Sequence, residues 1–295
     1  MGAVSMAFAN AKGGVAKTSL ALTMADEFSR KGKRVLLIDF DPQATITQFL
    51  GVPDGEHPDY RESSIMRLYD EDVLGGGFSL SDDPYSKPYS VKENFDVIFS
   101  SKKLQGVAES SVPAREYILR DYVDRVRDEY DLIIIDPPGV LGFFLSSVLL
   151  ASDILFIPQR VNFHDNTGTR SFLESILREA KFRRMKVNVG GFIPVFFEKT
   201  REEVILSEMA QLQKFYMQYM SLGIIKHVGE DIWLPRIRRL VAWEAAVSED
   251  MFLRDYVEKK DRSRSRVLDD VVALRDAIGS VLERFSVEEK AAVRN

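Results

Sequence analysis

Short apolar runs recur along the chain with helix-length stretches between them, and several are apolar at consecutive positions rather than at every second one. A strand with one face in a core alternates; a strand covered on both faces does not, and such runs mark a parallel sheet clothed by crossover helices. The runs are VSMAFAN (4–10), RVLLIDF (34–40), FDVIFSS (95–101), DLIIID (131–136), DILFIPQ (153–159), VNVGGFIPVFF (187–197) and IIKHVG (224–229). Helical spacing between them predicts helices at about 17–31, 113–129, 142–151, 167–182, 200–221, 242–250 and 267–285. Together they predict an α/β fold, doubly wound, with a mostly parallel sheet and helices on both faces. Residues 53–94 break the rhythm with PDGEHPDYRE and GGGFSLSDDPYSKPYS around a short apolar piece, and read as a surface insertion of a single 1–295 domain.

Composition narrows the chemistry. Zero cysteines exclude disulfides, thiolate metal sites and cysteine nucleophiles, and His57, His164 and His227 lack ligand spacing. No uncharged apolar run reaches about 18 residues, so neither a membrane span nor export is expected. A net charge of −5 argues against a uniformly basic nucleic-acid binder and leaves room for a local basic patch.

The first strand runs into AKGGVAKTS and then a helix whose Leu20, Leu22, Met24, Ala25 and Phe28 suit burial against a sheet. Strand, glycine loop, Lys-Thr and helix are the parts of a phosphate cradle: backbone N–H groups and a helix N-terminus face the phosphates, Lys17 supplies charge, and the Thr18 hydroxyl can ligate Mg²⁺. KGGVAKTS resembles the deviant Walker A motif, K-G-G-x-x-K-[ST], of the ParA/MinD group of P-loop ATPases. The resemblance implies ATP and Mg²⁺ as cofactors, a phosphate site over Lys12, Gly13, Gly14, Val15, Ala16, Lys17, Thr18 and Ser19, and a homodimer in which Lys12 reaches the partner's phosphates. Most members carry glycine where this chain has Ala16. Position 16 is expected at the helix start with negative φ, where Ala is favoured over Gly by about 0.8–1 kcal/mol. Backbone freedom is expected to matter at Gly13 and Gly14.

Two acidic strand ends extend the resemblance. DFDPQAT (39–45) is similar to the D-x-D-P-Q segment of ParA proteins, which implies that Asp41 orients or deprotonates the attacking water and Asp39 supports Mg²⁺ through its water shell. DLIIIDPPGVLG (131–142) resembles a Walker B strand, implying metal binding by Asp136, with Pro137, Pro138 and Gly139 as a rigid loop in place of the family's switch. LPRIRRLVAWEAA resembles a further family segment and makes Pro235 and Arg236 candidates for framing the adenine.

The C-terminus bears on partners. SVLERFSVEEKAAVRN shows no amphipathic membrane anchor, whereas EKKDRSRSRV places Lys259, Lys260, Arg262, Arg264 and Arg266 within ten residues. Such a cluster suits contact with DNA phosphates, and RRMK (183–186) and PRIRR (235–239) are candidates to extend it. With the resemblance to ParA proteins, the expectation is an ATPase that binds nonspecific DNA as a dimer in the cytoplasm, on the nucleoid. A ParB-like or cargo-adaptor protein would stimulate slow hydrolysis. The alternatives are a membrane-surface or scaffold ATPase of the MinD kind and a metabolic P-loop enzyme. The first strand starts at residue 4, so no helix-turn-helix extension and no operator-specific autoregulation are expected.

Overall fold

The computed structural model describes residues 2–51, 62–69, 86–160, 163–197, 202–238 and 241–293. They form two compact units, each drawn from two pieces of chain: Met1–Ala7 with Leu20–Ser152, and Phe8–Ser19 with Asp153–Asn295.

The first unit contains β1 (Val4–Phe8, through Ala7), α1 (Lys17–Arg30, from Leu20), β2 (Val35–Asp39), α2 (Thr45–Phe49), β3 (Tyr89–Lys92), β4 (Phe95–Ile98), α3 (Leu104–Glu109), α4 (Ile118–Val126), β5 (Leu132–Asp136) and α5 (Phe143–Ala151). Its strands run in the order β3-β4-β2-β5-β1. Pairing is parallel except for β3, which runs antiparallel along β4. VLLID and LIIID are buried at every position, as their unbroken apolar pattern requires when both faces are covered. Asp39 and Asp136 stand opposite each other at the carboxyl ends of β2 and β5.

The second unit contains β6 (Ile154–Arg160), α6 (Phe163–Arg183), β7 (Val187–Phe197), α7 (Glu202–Met220), β8 (Ile225–His227), β9 (Ile237–Arg238), α8 (Val241–Ser248), α9 (Leu253–Lys259) and α10 (Arg266–Val293). β7 is parallel to β6, β8 and β9. Phe192 packs edge-on against Tyr216 and at a tilt against Trp233. α10 buries Val271, Leu274, Ile278, Val281 and Phe285, a three-four spacing that turns one helical face inward. The segment Phe8–Ser19 joins this unit through Ala9 N–H, which donates to the Phe156 carbonyl at 3.0 Å.

Every expected strand is present, with ends shifted by at most three residues. The predicted helix 113–129 is a short 3-10 turn, α4 and another 3-10 turn, and α10 runs to Val293 instead of stopping at 285. Most of the predicted insertion, 52–61 and 70–85, lies outside the described residues. Its described parts are built into the first unit: Ile65, Leu68 and Tyr69 are buried, Ser64 bridges to Phe99, and β3 lines β4.

Candidate functional site

Asn10 begins the phosphate loop and is buried. Its Oδ1 accepts the Lys12 N–H at 3.0 Å, and its Nδ2 donates to the Pro158 carbonyl at 2.9 Å, so side chain and backbone together set where the loop leaves the strand. Val15 is buried, Gly13 and Gly14 are exposed, and the 14-residue α1 starts at Lys17. Lys17 is buried to 9% exposure and its ammonium donates to the Lys12 carbonyl at 3.4 Å, while Thr18 and Ser19 lie half-buried in the first turn of α1. The N–H groups of that turn have no intrahelical partner and suit an anion.

Two backbone expectations are corrected. Ala16 has a φ of 64°, so the residue before Lys17 is left-handed and not the first helical residue. Its methyl works against the local conformation, because the loop must reverse before α1 can begin. Gly14, at a φ of 67°, does use glycine's freedom, whereas Gly13 is outside the left-handed region and a Cβ there would meet nothing within 4 Å.

In the first unit, Asp39 is buried completely. Its Oδ2 accepts the Thr47 hydroxyl at 2.7 Å and the Thr47 N–H at 3.0 Å, and its Oδ1 accepts the Asp41 N–H at 3.4 Å. Burial pushes its carboxyl up to about 7, against the lowering effect of the Thr47 bonds. Asp41 is half-buried and its Oδ1 accepts the Gln43 N–H at 2.8 Å, an Asx turn, while the Ser100 hydroxyl fixes its carbonyl at 2.7 Å. Asp136 is likewise buried. Two buried carboxylates on adjacent strands fit a divalent cation, whose charge offsets both desolvation and mutual repulsion. Among the described residues no group of three or more His, Cys, Asp or Glu side chains is placed to hold a metal ion.

The AAA domain family matches this chain over residues 3–188, a span that holds the glycine loop and both acidic strand ends. The sporulation initiation inhibitor protein Soj of Bacillus subtilis is 30% identical over 223 residues, 75% of this chain and 83% of that protein. The chain belongs to the ParA-type P-loop ATPases. The chromosome partitioning protein ParA of Caulobacter vibrioides is 28% identical over 66% of this chain and 70% of its own length. A Cyanothece McdA variant in complex with ATP shares the fold, with a TM-score of 0.73 at 19% identity over 94% of this chain and 96% of that one.

Other expected site residues of this ParA-type ATPase lie in its second unit. Pro235 is half-buried ahead of β9, and the exposed Arg236 pairs with Glu202 at 3.0 Å. The basic cluster spans the end of α9 and the start of α10 and is interleaved with acids: Lys259 pairs with Asp255 at 3.9 Å, Lys260 with Glu249 at 3.6 Å and Arg264 with Asp261 at 2.7 Å. Arg262 donates to the Glu258 carbonyl and the Arg266 carbonyl accepts from Arg238. The Lys260–Glu249 pair is exposed at both ends and contributes about 0–1 kcal/mol, whereas Arg264 and Asp261 are half-buried.

One set of residues escaped the sequence reading. Asn10, Gln159, Asn166 and Thr169 are all buried polar side chains. Asn10 Nδ2 also reaches Gln159 Oε1 and Thr169 Oγ1 at 3.3 and 3.2 Å, the Thr169 hydroxyl bonds Gln159, and Gln159 Nε2 donates to Asn166 Oδ1 at 3.0 Å. Asn166 Nδ2 then donates to Glu208 Oε2 of α7 at 2.7 Å. Partners some 150 positions apart leave no local spacing to read; the available signal was Asn10 itself, a polar residue ending an apolar strand.

Proposed function

We propose that this ParA-type ATPase is a nucleotide-gated switch: with ATP and Mg²⁺ it forms a homodimer that holds DNA without sequence preference, and hydrolysis prompted by a partner protein releases it. The observation that carries the reading is the loop itself, in which KGGVAKT sits between a buried strand and a helix N-terminus with the Lys12 backbone held by Asn10. In this reading the loop amides and Lys17 hold the phosphates, Lys12 reaches those of the second copy, and Asp41 orients the attacking water. Magnesium, held by the Thr18 hydroxyl with Asp39 and Asp136 supporting it, would neutralise charge developing on the transferred phosphoryl group. Pro235 and Arg236 are assigned to the adenine.

The names of relatives, among them a chromosome-partitioning ATPase of Treponema pallidum and a cell division protein of Myxococcus xanthus, support a role in partition or cell division, and in this reading the chain partitions or positions a cargo over the nucleoid. No helix among the described residues is long and apolar enough to cross a membrane. The DNA surface is assigned to Lys259, Lys260, Arg262, Arg264 and Arg266.

ATPase rate and oligomeric state with and without DNA test the switch. ATP is expected to shift monomer to dimer, Lys12→Ala to abolish that shift, and Asp41→Ala to leave a dimer that does not turn over. Normal dimerisation and hydrolysis by Lys12→Ala would overturn the shared-lysine mechanism. Changing Arg262, Arg264 and Arg266 to Glu should abolish ATP-dependent DNA retention with the dimer intact; unchanged retention removes the patch.

A further inference from the structure

Arg160 ends β6 and is the exposed residue of an otherwise buried strand. Its guanidinium carbon lies 4.3 Å from the centroid of the Phe196 ring. A Cβ built on Gly14 would lie 4.0 Å from Arg160 Nη2, so the guanidinium borders the phosphate loop. All three residues belong to the second unit. Among the described residues, Arg160 stacks on an aromatic ring instead of pairing with a carboxylate.

Both partners are held in place. The Arg160 carbonyl accepts from Gln159 Nε2 at 2.6 Å, and Gln159 Oε1 accepts from Asn10, whose own Oδ1 fixes the Lys12 N–H. One buried polar node thus sets the backbone of Lys12 and of Arg160. Phe196 has a φ of 56°, a strained conformation for a bulky side chain, where the β7–β9 register shifts between Val195 and Phe197. Strain of this kind persists where surrounding structure enforces it, and here it accompanies the ring that carries the arginine.

We propose that Arg160 binds the nucleotide's phosphates directly, as a second cation of the same copy beside Lys17, with Phe196 as the positioning residue that sets its approach. The proposal rests on the nucleotide reading of the loop. A guanidinium held over a ring by a cation–π contact spends none of its N–H groups on a carboxylate there, and its N–H fork matches phosphate oxygens two at a time. Stacking also restrains a long side chain before the nucleotide arrives, which lowers the ordering cost of binding.

The test is Mg²⁺–ATP affinity by titration calorimetry on the full chain, with the nucleotide-free melting temperature measured for each variant. Arg160→Ala is expected to weaken ATP roughly tenfold or more with little change in melting temperature. Arg160→Lys should restore part of the loss, since it keeps the charge without the fork. Phe196→Leu should weaken ATP about threefold. If Arg160→Ala binds ATP like the parent while Lys17→Ala does not, the arginine assignment is wrong and the nucleotide reading stands. Loss of affinity in Arg160→Ala and Arg160→Lys alike, together with a lowered melting temperature, also overturns it, because the residue would then be structural. Failure of the parent chain to bind ATP removes both readings.

Discussion

Ala16 carries a cost that the loop does not require. A left-handed φ penalises an L side chain by roughly 1–2 kcal/mol, partly offset because glycine loses about 0.5–1 kcal/mol more backbone freedom on folding. Ala16→Gly is therefore expected to raise urea-unfolding stability by about 0.5–1 kcal/mol; equal or lower stability would contradict the assigned conformation. Asp39 carries a second cost, set by pH. Its carboxyl is raised from 3.8 to about 7, so across that window the folded chain retains a proton that the unfolded chain has released. Stability must fall as pH rises through the window and level off above it. Melting of the metal-free protein should drop from pH 5 to pH 8, and Asp39→Asn should reduce the drop; an unchanged pH profile in the variant would show that another group dominates.

Elements announced by a repeating pattern were legible, and elements created by their neighbours were not. VLLID and LIIID are apolar without interruption because sheet neighbours and helices cover them, so the cause of the pattern and of the burial is the same. β9 is two residues long and exists because β7 presents an edge to it; α2 follows the left-handed Ala44, and no apolar period precedes it. The candidate site divides the same way. Lys12, Lys17, Thr18, Asp39, Asp41 and Asp136 are proposed from local motifs, whereas the proposed Arg160 and the Asn10–Gln159 pair depend on contacts between distant segments. The β6–β7 contact offers its own test: a Cβ on Gly190 would lie 2.4 Å from Phe156 Cε1 and 3.0 Å from Ile154 Cγ2. Gly190→Ala should destabilise by about 1–3 kcal/mol, read by urea unfolding, and a neutral result would mean that the two strands are less closely packed than described.

For the whole molecule, acidity and DNA binding are compatible if contact is confined to one basic segment. A net charge of −5 repels a polyanion at long range, and the cluster at 259–266 acts only within about 8–10 Å in physiological salt. Retention on DNA should therefore fall steeply between 50 and 200 mM salt, by about a thousandfold or more if the two copies of the cluster engage together; a salt-independent interaction would point to a different surface.

The polar node at Asn10 has a consequence for synthesis. Residues Phe8–Ser19 leave the ribosome early, yet Pro158, Gln159 and Thr169, which hold them, are made about 150 residues later. At ordinary elongation rates of about 5–20 residues per second, the loop waits roughly 7–30 seconds for its anchors. A fragment ending at residue 152 should accordingly bind no ATP even if its own strands pair, as calorimetry on the purified fragment would show. The loop's backbone is therefore held only once residues 158–169 of the second unit have been made, well after β1 and α1.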